Sequence, residues 1–249
     1  MQYNWNWGIF FATSPDGVHT YLQTLLTGTW WTLATALSAW VVALTIGSLV
    51  GVLRTTPHAW LVHLGNAYVE LFRNIPLLVQ MFLWYFVVPE LLPVTLGDWL
   101  KQLPDASFYT AVVALGLYTS ARVAEQVRAG ISSLAAGQRM AALALGLTLP
   151  QSYVYVLLPM AYRIMLPPLT SEFLNIIKNS AVALTIGLME LTARARAMQE
   201  FSFQVFEAFT AATLIYIVIN MVVTFGMRYV ERYLAVPGLI GARPAIIAH

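Results

Sequence analysis

Few side chains in this chain are equipped for chemistry, and those that are sit in strongly apolar surroundings. Glu172, Asn175, Lys178 and Asn179 lie in PPLTSEFLNIIKNSAVALTIGL. Positions 172, 175 and 179 follow the i, i+3, i+7 spacing of one helix face, with Lys178 beside it. Such a face can attract a carboxylate through the ammonium and offer hydrogen bonds through the amides. Arg122 and Glu125 form a second group, and Glu70 and Arg73 a third, each three residues apart as in a helical ion pair. Nothing else has the makings of a reaction centre. The four histidines are scattered without metal-ligand spacing, there is no cysteine, and no nucleophile-base pattern appears, so no catalytic residue and no metal site are expected. Neither lysine, Lys101 or Lys178, follows a glycine, which excludes a phosphate-cradling P-loop.

The elements that must position these groups are membrane spans. The 249 residues are 59% hydrophobic and 10% charged, against roughly 25% charged in soluble domains. Mean hydropathy is +0.70. Five stretches are long and apolar enough to be spans of about 20 residues: 21–53, the less regular 77–94 with Pro89 and Pro93 near its outer end, one from Phe108 through AVVALGLYTSARVAEQV, 171–191 and 206–227. The opening 20 residues lack the basic start of a cleavable signal, so the first run is expected to be a permanent span. With the N-terminus outside, nine of the thirteen Lys and Arg residues fall on the inner side, including Arg54, Arg139 and Arg243, and three outside: Lys101, Arg194 and Arg196. The outer segments collect Asp16, Glu90, Asp98, Asp105, Glu190, Glu200 and Glu207. This predicts an N-out, C-in, all-α integral membrane protein. Its parts are an outer segment 1–20, a transmembrane domain 21–233 and an inner tail 234–249. Arg194 and Arg196 are expected in a solvated outer loop.

Between the third and fourth spans, residues 130–163 do not read as an ordinary loop. Alanines 141, 142 and 144 favour a helix up to Leu147. Thr148, Pro150 and Gln151 spell a second helix start with a capping box, and Leu158-Pro159 is expected to end it. Two short helices joined by a tight turn at Gly146 would then face the cytoplasm.

The same segment resembles the signature loop of bacterial ATP-binding-cassette importer permeases: Glu-Ala-Ala, three residues, Gly, nine residues, Ile, one residue, Leu-Pro. Here those positions are Met140-Ala141-Ala142, Gly146, Val156 and Leu158-Pro159, with Met140 in place of the glutamate. YVELFRNIPLLVQ, ARVAEQVRAGI and PPLTSEFLNIIKNSAVALTIGL are similar to the polar amino-acid uptake branch, and WNWGIF with TLPQSYVYVLLPMAYRI to its glutamate and aspartate permeases. The resemblance implies a type I importer permease in the bacterial inner membrane. Its partners would be a second permease chain, a periplasmic amino-acid-binding protein and two cytoplasmic ATPase subunits, which would bind the ATP and Mg. Membrane lipid surrounds it and no nucleic acid is involved. Met140, Ala141, Ala142, Gly146, Leu149, Pro150, Leu158 and Pro159 would then receive the ATPase.

Two readings stay open for each polar group. Glu172, Asn175, Lys178 and Asn179 either line a translocation path or serve as interfacial ion pairs and interhelical hydrogen bonds. Glu70 with Arg73, and Arg122 with Glu125, either neutralise each other where helices leave the membrane or form a gate. An ion-coupled carrier or channel is the alternative for the whole chain, though no internal repeat with broken helices is evident. A membrane scaffold fits the composition but not the embedded polar face.

Overall fold

The computed structural model describes residues 3–234; the inner tail, with Arg243 and His249, lies outside the described residues. Among the described residues the regular structure is helical. The chain enters the first long helix through a turn in which Asp16 accepts hydrogen bonds from the amides of His19 and Val18 and from Ser14, which holds its carboxyl well below the usual carboxylate range. Thr20 and Gln23 then close a capping box at the start of α1 (Tyr21–Leu53). At 33 residues α1 is about 50 Å long, more than the hydrocarbon core needs.

Helix α2 (Ala59–Asn74) stops at Ile75 because Pro76 disfavours the helical region for the residue before it, and Ile75 is extended. The path then bends by 100°. It continues as α3 (Leu77–Phe82), a wide π-turn at Leu83–Val87 and α4 (Val88–Leu91). A second π-turn, Tyr153–Leu157, joins α8 (Leu149–Ser152) to α9 (Leu158–Asn179). Each wide turn lies just before a proline, Pro89 or Pro159. A proline ring clashes with the carbonyl four residues earlier and has no N–H to bond it, and widening the turn relieves both problems. Leu158-Pro159 therefore does not end a short helix, contrary to the sequence expectation. The helical path passes through it into α9, and the span expected at 171–191 starts more than a turn earlier.

Between these come α5 (Val94–Gln102), α6 (Ala106–Ser132) and α7 (Ala136–Ala144). After α9 a 3-10 stretch (Ser180–Ile186) runs to a turn at Gly187, then α10 (Leu191–Ser202) and α11 (Val205–Leu234). Arg194 and Arg196 belong to α10, not to a solvated loop, and Arg196 pairs along the helix with Glu200 at 2.8 Å. Two of the acids that the sequence assigns to the outer side are also not surface charges. Glu190 and Glu207 are fully buried. Glu190 caps α10 through the amides of Thr192 and Ala193 and accepts from Tyr216 of α11 at 3.0 Å. Glu207 accepts from the Asn6 amide at 2.7 Å and from Tyr3, tying the N-terminal segment to α11.

The centre of the molecule is the α1–α6 pair. Ala39, Ala43, Gly47 and Gly51 recur every four residues along α1 and are all buried. Small residues at this spacing let two backbones approach, the device by which helices associate in lipid. A Cβ at Gly47 would stand 2.6 Å from the Val123 Cβ and 2.7 Å from the Ser120 carbonyl oxygen, and one at Gly51 would stand 2.6 Å from the Val127 Cβ. Helices α2, α3 and α9 pack on α6, while α10 packs on α1 and α11 packs on α9 and α10. Taken singly, α1 and α11 are long and apolar enough to cross a membrane, and the number rises to four if each bent pair is one span. Helix α6, expected as the third span, is 27 residues long but central, with its apolar residues turned inward.

Candidate functional site

Two sites emerge, one just before the start of α9 and one against Glu172 within it. The first is the α7–α8 corner. Helix α7 closes with a Schellman motif: the Gly146 amide donates to Leu143 O at 3.0 Å and the Leu147 amide to Ala142 O at 3.1 Å. Gly146 has φ +88°, a conformation that glycine adopts without strain. Two residues on, Thr148 and Gln151 form the expected capping box, with the Thr148 amide donating to Gln151 Oε1 at 2.8 Å. The turn is thus fixed from both sides. Ala142 is buried and Leu149 and Leu158 are half-buried, whereas Met140, Ala141, Gly146, Pro150 and Pro159 are exposed. Leu145 (84% exposed) and Tyr155 (69%) add apolar surface beside them. Replacing Gly146 by alanine forces a side chain into left-handed backbone, and Thr148→Ala removes the cap. Each is expected to cost about 1 kcal/mol locally. The double variant should show faster amide exchange across 142–152 with α1 and α6 unchanged.

The second site is a polar cavity of about 460 Å³ lined by Arg73, Tyr118, Arg122, Glu125, Gln126 and Glu172. It gathers residues that the sequence had kept in separate groups. The pairing also differs from the i, i+3 expectation. Arg73 of α2 donates to Glu125 of α6 at 3.2 Å, not to Glu70, which is exposed and makes no ion pair among the described residues. Arg122 faces Glu172 of α9 at 3.9 Å, not Glu125. The backbone bend after α2 and the packing of α2 and α9 on α6 put partners from other helices nearer than those on the same helix. The Arg122 guanidinium also donates to Tyr118 Oη at 2.9 Å and lies 5.1 Å from that ring's centre.

Arg54, which spacing arguments passed over, is the third partner. Its side chain is 4% exposed and donates to Glu125 at 3.0 Å and to Asn66 at 2.8 Å. The only sequence signal was its position at the end of a long apolar run. Glu172 Oε2 is buried without a hydrogen bond, and its 3.9 Å ion pair is loose, so Arg122 is the more available cation. Asn175, Lys178 and Asn179 do not line this cavity. Lys178 is exposed and makes no ion pair among the described residues. Chemically, two guanidinium groups balanced by two carboxylates can exchange a protein carboxylate for that of a ligand.

Residues 43–236 match the family described as the binding-protein-dependent transport system inner membrane component. The chain is 50% identical over 246 residues to the glutamate/aspartate import permease protein GltJ of Escherichia coli K12, spanning 98% of this chain and 100% of that one. It is 34% identical over 190 residues to the glutamine transport system permease protein GlnP of the same organism, covering 76% of this chain and 83% of that one. Among solved structures it is similar to an amino acid ABC transporter with histidines, at TM-score 0.72 and 30% identity over 86% of this chain and 95% of that one. The fold is shared with the inward-facing MetNI methionine ABC transporter, at TM-score 0.72 and 21% identity over 90% of this chain and all of that one. The chain belongs to the inner-membrane permeases of binding-protein-dependent transport systems.

Proposed function

We propose that this permease imports glutamate and aspartate, driven by ATP that partner subunits bind with Mg and hydrolyse. The observation that carries the substrate is the 50% identity, over essentially both full lengths, to a permease named for those two amino acids. The cavity chemistry agrees with it. Arg122 and Arg73 are cations suited to carboxylates, and Glu172 holds Arg122 loosely enough to be displaced. The chain carries no ATPase site of its own in this reading. It works as a multi-pass protein, N-out and C-in, with a second permease chain, a periplasmic binding protein and two ATPase subunits. The ATPases press on Met140, Ala141, Ala142, Gly146, Leu149, Pro150, Leu158 and Pro159, and the push passes along α9 to Glu172. The cavity then opens alternately to the two sides, with Arg73, Arg122, Glu125 and Glu172 rearranging as the gate.

The test is uptake by proteoliposomes holding this chain and the subunits that co-purify with it. Labelled glutamate and aspartate should enter only with hydrolysable ATP and binding protein, and outcompete glutamine and histidine. Entry that ignores ATP and follows an ion gradient would instead establish the carrier alternative. Within the same assay, Lys178→Ala discriminates between the two candidate cation positions. Since Lys178 lies outside the cavity, its removal should leave the rate within about twofold, whereas Arg122→Gln should lower it at least about tenfold through loss of a charge-assisted pair. A larger loss for Lys178→Ala than for Arg122→Gln would move the path to the Asn175–Asn179 face.

A further inference from the structure

We propose that a second cavity, at the arginine-rich end of the helices, is a binding site for a phosphate-bearing anion. It holds about 370 Å³ between the end of α1, the end of α6, α7 and the π-turn before α9. Arg54, Arg128 and Arg139 line it, joined by Thr55, Ser132 and Tyr153, and no acid is among its lining residues. The two cavities have no lining residue in common and are linked only through the pair between Arg54 of this one and Glu125 of the other; the polar cavity balances its arginines with glutamates, and this one does not.

Arg54 supplies an independent observation. Its side chain is 96% withdrawn from solvent by the 4% exposure given above, and its Nε and Nη2 atoms are taken by Asn66 and Glu125. The remaining nitrogen, Nη1, is buried and has no hydrogen-bond partner among the described residues. An unpartnered guanidinium nitrogen in the interior is costly, and an anion oxygen removes the cost. Arg128 and Arg139 are exposed and have no hydrogen-bond or ion-pair partner among the described residues, so they sit at the mouth with the forked geometry that matches phosphate. Tyr153 is already committed to Thr55, donating to its carbonyl at 2.8 Å and accepting from its hydroxyl at 3.2 Å, which fixes the wall between α1 and the π-turn.

Position gives the site its meaning. The cavity touches Arg139 on α7 and Tyr153 in the π-turn, so an occupant braces the α7–α8 corner against α1 and α6. The phosphate can belong to an anionic lipid headgroup reached from the inner leaflet or to a free phosphate, and basic pockets between helices at this depth suit both. Either source would make the corner stiffer when occupied.

The full chain, with the subunits that accompany it, is purified in mild detergent as wild type and as the Arg128→Gln, Arg139→Gln double variant. Both replaced side chains are exposed, so folding is preserved. Native mass spectrometry with added dioleoyl phosphatidylglycerol or dioleoyl phosphatidylcholine reads lipid retention, and thermal melting with inorganic phosphate reads the free anion. One phosphatidylglycerol per chain, held about 30-fold more weakly by the variant and not replaced by phosphatidylcholine, establishes a lipid site. A saturable rise in melting temperature with inorganic phosphate, lost in the variant and without lipid retention, establishes a free-anion site. The proposal is overturned if neither probe distinguishes the two proteins. That includes the case in which the variant loses only its capture of an accompanying subunit, since the arginines would then serve protein carboxylates.

Discussion

Glu125→Ala is expected to lower the stability of the chain by about 3 kcal/mol, the lower end of what breaking a buried ion pair costs. Glu125 is one-third exposed, but the guanidinium it neutralises is not. Among the described residues Arg54 would keep only the Asn66 bond and would hold its charge in the interior with no protein carboxylate paired to it. The same carboxylate oxygen also accepts from Arg73, so one substitution removes the ionic ties of both α1 and α2 to α6. For a chain of this size the loss corresponds to a fall of roughly 6–12 °C in melting temperature. Arg54→Met with Glu125→Leu removes both charges and keeps the volume, and should restore most of the stability, as apolar replacement of buried pairs often does. Transport would stay impaired in that double variant if the cavity works as proposed. A melting temperature for Glu125→Ala within 1 °C or so of wild type would show that Arg54 finds compensation elsewhere.

Gly47→Val is expected to do greater damage, because its new atoms meet backbone. The Val123 side chain can shift by a few tenths of an ångström, but the Ser120 carbonyl oxygen, 2.7 Å from the added Cβ, moves only if α6 moves. Overpacking a tight core costs about 1–3 kcal/mol for small insertions. Gly47→Ala should fall in that range, and the branched valine should prevent accumulation of folded protein in the membrane. Adding Val123→Gly to Gly47→Ala relieves the side-chain clash and leaves the carbonyl clash, so recovery should be partial. Gly226 in α11 is the control. Nothing lies within 4 Å of a Cβ there, and Gly226→Ala should be neutral or gain up to about 1 kcal/mol from its better helix propensity. Immunoblots of membrane fractions and detergent melting curves read the whole series. Equal accumulation of Gly47→Val and Gly226→Ala would contradict close packing of α1 on α6.

What could be read from sequence was local. The first long helix was legible from its uninterrupted apolar run, whereas the Thr20–Gln23 capping box that fixes its start was present and unread. The Thr148–Gln151 capping box and the Gly146 turn were legible because all their partners lie within five residues. The ion pairs were not, because the nearest carboxylate to Arg73 is set by how α2 packs on α6, a contact between residues 52 positions apart. Nor did the sequence show that Glu190 and Glu207 are buried, since an acid near a helix start looks the same in solvent and in the core until its donors, Tyr216 and Tyr3, are in place. The Ala39–Gly51 stripe is a case of a signal present and unread. Its four-residue repeat was visible within the first span, hidden by the general abundance of alanine.

The wide turn at Tyr153–Leu157 bears on which insertions and deletions the chain can tolerate. A π-turn is one residue more than an α-helix requires, and that residue is accommodated without rotating the flanking faces out of phase. Tyr155, exposed within this turn, is the position to remove. Its deletion alone would leave Pro159 facing a carbonyl in a regular helix, at a cost of about 3 kcal/mol. Deleting Tyr155 and replacing Pro159 by alanine should give a continuous helix from Leu149 to Asn179 with Glu172 still facing Arg122. Proline and extra residue are in this sense a single unit of sequence change: a lineage that loses one is released from keeping the other.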